Sequence, residues 1–120
     1  MKRTPIFAAA AAALTVALPA CAASASARTE AVRLVAEADA WGGFCVNWGL
    51  DQAAADAFLR ANHAVIRGDH RAVYGFAHAS AHAQGMAYHC APAACNHALD
   101  GFGPYGRIVP GLLRQRSPGL

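Results

Sequence analysis

Charge is scarce in this sequence: 14% of its 120 residues are Asp, Glu, Lys or Arg, while 56% are apolar. Globular chains carry about 25% charged residues, and disordered ones carry more charge with less apolar material. An acidic, solvating or intrinsically disordered protein is thereby excluded. Length sets a second bound, since 120 residues make one small domain and leave no room for a separate cofactor domain. Lysine occurs once, at Lys2, and methionine only at Met1 and Met86. The charge-free apolar run from Ile6 to Leu18 has 13 residues. That is short of the roughly 20 that a helix needs to cross a hydrocarbon core of about 30 Å. Nucleotide-binding and catalytic motifs are also missing.

That apolar run has a recognisable setting. Lys2 and Arg3 precede it, and Pro19 and the small-residue stretch ACAASASA follow it. A cationic start, a short apolar run and a small-residue end make up a secretory signal peptide. The expected organisation is a signal peptide over 1–27, cut near 21–27, and a small helical domain over 28–120. Ala23-Ser24-Ala25 and Ala25-Ser26-Ala27 both satisfy the small-x-small rule for cleavage. Leu18-Pro19-Ala20-Cys21 offers an alternative, because it resembles a lipoprotein box in which Cys21 is acylated and becomes the new N-terminus. Removing Lys2 and Arg3 from ten cations leaves eight arginines against seven acids, a net charge of +1. That small excess argues against a nucleic-acid partner, which asks for a cationic face.

Three cysteines remain beyond the leader: Cys45, Cys90 and Cys95. An exported chain sits where disulfides persist, so one bridge and one leftover thiol are expected. Cys90 and Cys95 are spaced Cys-x4-Cys, which is neither the redox Cys-x-x-Cys nor the haem-attaching Cys-x-x-Cys-His.

Periodicity predicts three helices. The first runs from about Glu30 to Trp48, with Leu34, Ala38, Trp41, Cys45 and Trp48 on one stripe and Thr29 as N-cap. Gly42-Gly43 marks a kink or a close contact within it. Asp51 caps a second helix that reaches about Arg67 and stops at Gly68. Asp69 caps a third, from His70 to His89 or Cys90, ended by Pro92. On a helical wheel Val73, Phe76, Ser80, Ala83, Ala87 and Cys90 share a face, read as the core side. The fold class that follows is all-α, a small three-helix bundle with a Gly/Pro-rich C-terminal segment. Ile108, Val109, Leu112 and Leu113 can fold back over the bundle, and the tail from Arg114 is expected to fray.

In an up-down-up bundle the C-terminal ends of helices one and three are neighbours, which brings Cys45 near Cys90 and Cys95. A bridge from Cys45 is expected, to Cys95 ahead of Cys90. Closing a loop of that length stabilises by roughly 4 kcal/mol in a chain-entropy account.

The opposite face of helix three carries the candidate site. His78, His82, Met86 and His89 line up there, with Cys95 and His97 as further donors. Two histidines at i and i+4 can grip Zn, Cu or Ni, and a thioether turns the preference toward copper. The plainer reading is a solvated face whose polarity histidine supplies in the absence of lysine. A Cys-His nucleophile from Cys90 or Cys95 with His89 or His97 is chemically conceivable. Adjacent Cys and His in an exported chain fit a disulfide beside a surface imidazole better. Ser80 lacks the Gly-x-Ser-x-Gly elbow.

Cys45 near the end of helix one, Leu50-Asp51 opening helix two, and Cys95 followed by Leu112-Leu113-Arg114 resemble small secreted helical two-cysteine proteins of unknown function from alphaproteobacteria. The resemblance implies a Cys45–Cys95 link and no known activity. Together these readings predict an exported, non-enzymatic envelope or secreted interaction protein without cofactor. Its partner would be an unidentified protein or envelope component, with membrane attachment only through lipidation at Cys21. The alternative is a periplasmic Cu or Zn binder using His78, His82, Met86 and His89.

Overall fold

Residues 26–88 and 90–116 are described in the computed structural model, so most of the expected leader, Cys21 and His89 lie outside the described residues. In chain order the elements are helix α1 (26–42), strand β1 (Trp48–Leu50), helices α2 (Gln52–Ala61), α3 (Asp69–Met86) and α4 (Ala91–Phe102), and strand β2 (Leu113–Gln115). The described residues therefore hold four helices and a two-stranded antiparallel sheet. The expected all-α three-helix bundle with an irregular end is corrected on both counts.

Each correction has a local cause. Gly42-Gly43 ends α1 instead of kinking it, and the chain leaves through turns in which the Phe44 N–H donates to Trp41 and the Cys45 N–H to Gly42, at 3.1 and 3.0 Å. Asn47 then takes a left-handed φ of 64°, so the expected last turns of helix one become an irregular turn, and Trp48, expected to end that helix, begins β1. Thr29, expected as a cap, lies inside α1. Asp51 caps α2 as expected, its carboxylate accepting the Ala54 N–H at 3.1 Å. But α2 stops at Ala61, where the Asn62 side chain donates to the Phe58 carbonyl at 2.9 Å and His63 turns left-handed. Asp69 is the first residue of α3, and Gly68, at φ 58°, is its cap.

Pro92, expected to end helix three, instead helps begin α4. It lies in the first turn of that helix, where a missing N–H costs nothing and the fixed φ is already helical. The segment after α4 is likewise more ordered than its Gly/Pro content predicts. Its N–H groups at Arg107, Ile108 and Gly111 donate to the carbonyls of Asp100, Gly101 and Gly103 at 2.9, 3.0 and 2.8 Å. That loop delivers Leu112 and Leu113 into the core, while Arg114, expected in a frayed tail, pairs with Gly49 in the sheet. Ile108 remains exposed.

The core gathers Val32, Val35 and Trp41 of α1 with Leu59, Phe102, Leu112, Leu113 and several alanines. Gly42 permits a close approach, since a Cβ there would sit 2.6 Å from a Leu113 methyl. The close contact expected at the glycine pair is thus made by a strand side chain.

Helix α3 faces the core differently from the wheel reading. It buries Ala77, Ala81 and Gly85, whereas Phe76, assigned to the core side, is 78% exposed. Large side chains won the assignment on hydrophobicity, but small ones hold the interface because the ring of Phe44 occupies the space a Cβ on Gly85 would need.

Candidate functional site

The inward turn of Ala77, Ala81 and Gly85 carries the neighbouring histidines toward α1. Two polar–aromatic clusters result. In the first, the Tyr74 hydroxyl donates to Oδ2 of Asp39 at 2.8 Å. His78 Nε2 lies 3.6 Å from the same oxygen, and the His78 ring stacks on Tyr74 with centroids 6.1 Å apart. Burial, and then the Asp39 hydrogen bond and charge, hold the Tyr74 phenol above its ordinary pKa. A phenol kept neutral is a donor at physiological pH, suited to fastening α3 to α1.

The second cluster surrounds Trp41. His97 of α4 lies with its ring centroid 4.3 Å away, Tyr88 meets it edge-on at 5.6 Å, and Phe44 packs at 6.0 Å. Phe44 in turn stacks on His82 at 5.4 Å and 20°. Both imidazoles serve as flat packing surfaces, since such aromatic contacts gain beyond area burial alone.

Of the metal candidates, His78 turns to Asp39, His82 stacks on Phe44, and Met86 is exposed, while His89 lies outside the described residues. Among the described residues no group of three His, Cys, Asp or Glu side chains converges as a metal site.

Of the cysteine expectations, the Cys45–Cys95 disulfide is present, with Cα atoms 4.8 Å apart, and Cys90 is a free, exposed thiol. The bridge joins the turn after α1 to α4, the helix that the sequence reading lacked. Cys90 caps α4 with extended backbone and makes no side-chain capping bond.

Asp39 and Tyr74 were missed by sequence reasoning. They are 35 residues apart and belong to no spacing motif. The one available signal is a carboxylate placed among buried alanines of α1, for which a hydrogen-bond partner should have been sought. Comparison with protein-family models, with curated proteins and with solved structures finds no match.

Proposed function

We propose that this small, mostly helical domain is exported and acts by contact with a component of the cell envelope, without catalysing a reaction. The Cys45–Cys95 bridge is the observation that carries the reading. Structural disulfides persist in oxidising compartments and are rare in the cytosol. The leader-like pattern of Lys2, Arg3 and the apolar run from Ile6 to Leu18 supports the same destination. A contact role draws support from how the reactive side chains are used. Tyr74 and His78 face Asp39, while His82 and His97 pack on aromatic rings, so these groups hold helices together.

Non-reducing mass spectrometry of the protein from its native host tests this reading. The expected product begins within 22–28, or at an acylated Cys21, and carries one bridge. An intact chain from Met1 with reduced thiols, found in the cytosol, would overturn it.

A further inference from the structure

Charge is unevenly placed along the folded chain. Residues 28–56 hold two arginines, Arg28 and Arg33, against five acids. Residues 57–75 reverse the balance, with Arg60, Arg67 and Arg71 against Asp69 alone, and add His63 and His70. All of these lie at one end of the α2 and α3 pair. Arg60 is in the last turn of α2, Arg71 in the first turn of α3, and Arg67 in the connection between them.

The connection itself is held in shape. Ala64 is buried and donates to the Leu59 carbonyl at 2.9 Å, and the Val65 carbonyl meets both the Arg67 N–H at 3.1 Å and the His70 ring at 3.0 Å. His63 and Gly68 adopt left-handed backbone at the two bends. This frame leaves Val65 outward and 52% exposed, between arginines that are themselves exposed. Among the described residues no carboxylate forms an ion pair with Arg60, Arg67 or Arg71, although Arg33 pairs with Glu30 and Glu37 and Arg107 with Asp100.

We propose that this tip docks on an anionic phospholipid surface, with Arg60, Arg67 and Arg71 on headgroup phosphates and Val65 entering the boundary layer. Charge complementarity fixes the sign of the partner, since each cation held near a layer of headgroup phosphates is attracted to it. The exposed valine favours a bilayer over an acidic protein, because only a bilayer places hydrocarbon just beneath a layer of phosphates. The inference names the partner of the contact reading above and rests on it for access to an envelope membrane.

Sedimentation with vesicles tests the proposal, using the protein purified from its host and vesicles of phosphatidylcholine alone or mixed with phosphatidylglycerol. Binding is expected to require the anionic lipid and to weaken as salt is raised. Each arginine near such a surface contributes about fivefold, so R60Q/R67Q/R71Q should lose about a hundredfold. R60K/R67K/R71K should retain most of the binding, and the charge-matched R28Q/R107Q/R114Q should stay near wild type. Equal binding to neutral vesicles, or equal losses from both glutamine triples, would overturn the docking. Preferential binding to a soluble acidic protein by the same three arginines would overturn it in favour of that partner. A processed N-terminus without vesicle binding removes the docking and leaves export standing. An unprocessed cytosolic chain removes the export reading, whatever the vesicles show.

Discussion

Helices α1 and α3 lie in one small core and are held there by different means. From α1 the core receives Val32, Val35 and Trp41, all nearly inaccessible, and the turn after it is tied to α4 by the Cys45–Cys95 bridge. From α3 it receives two buried alanines and a glycine, with Val73 and Tyr74 packed partly buried against it. Apolar burial contributes about 25 cal/mol per Å², so α3 gains little from its buried face. Contacts at its margins supplement it: Tyr74 to Asp39, and His82 on Phe44. A chain of this size can thus combine a covalently fastened hydrophobic end with a helix held by small-residue approach and polar edges.

Removing the bridge should have the largest effect on that contrast. A crosslink spanning 50 residues restricts the unfolded chain enough to contribute about 4 kcal/mol. That is a large part of the roughly 5–15 kcal/mol that holds a typical domain together. C45A/C95A, or reduction of the wild type, should therefore lower the unfolding free energy by about that amount in urea titration. A loss below about 1 kcal/mol would place the stability of the α1 and α4 end in packing alone.

Next in size is a pair of truncations that separates buried apolar material from exposed. Leu113 is 1% exposed and packs on Gly42, so Leu113→Ala should cost about 3 kcal/mol. Phe76→Ala on the outer face of α3 should change stability by less than about 0.5 kcal/mol, since the ring is 78% exposed. Thermal unfolding of the two variants side by side checks the pair. Equal losses would mean that α3 uses its large side chains after all.

Local marks and tertiary contacts divide what is legible in the sequence from what is not. Helix content, the Asp51 cap and the participation of Cys45 in a bridge were readable, because capping and thiol pairing leave local or compositional marks. Strand β1 was not, for Trp48 falls on the helical stripe and Gly49-Leu50 reads as a joint between helices, and only pairing with a partner about 65 residues later makes the three a strand. Pro92 was read as a stop when the alternative, a start, differs only in whether the chain re-enters a helix after it. On α3 the hydrophobic wheel favoured Phe76 over Ala77. Close approach of a neighbouring ring at Gly85 reverses that order, and amphipathicity alone carries no term for it. The histidine stripe was visible as a pattern, but the meeting of His78 with Asp39 and of His82 with Phe44 is tertiary and has no sequence spacing.

A smaller loss than that of the bridge or of Leu113, at the margin of α3, has a pH signature. Tyr74→Phe removes the hydrogen bond to Asp39, and because that carboxylate is partly exposed the cost should be about 1 kcal/mol. The folded chain holds the Tyr74 proton more tightly than the unfolded chain, chiefly through burial and then through Asp39. Its contribution is therefore complete below the unfolded phenol value of about 10, and is lost as pH rises from there through the raised folded value. Between those two values the unfolded state has released a proton that the folded state keeps, so the unfolding free energy falls with pH. Urea titrations at neutral pH and above pH 10 should show wild type losing more stability than Tyr74→Phe, and the gap between them closing. If both lose stability in parallel, the phenol is not fastening α3 to α1, and the small-residue face of Ala77, Ala81 and Gly85 holds the helix without it.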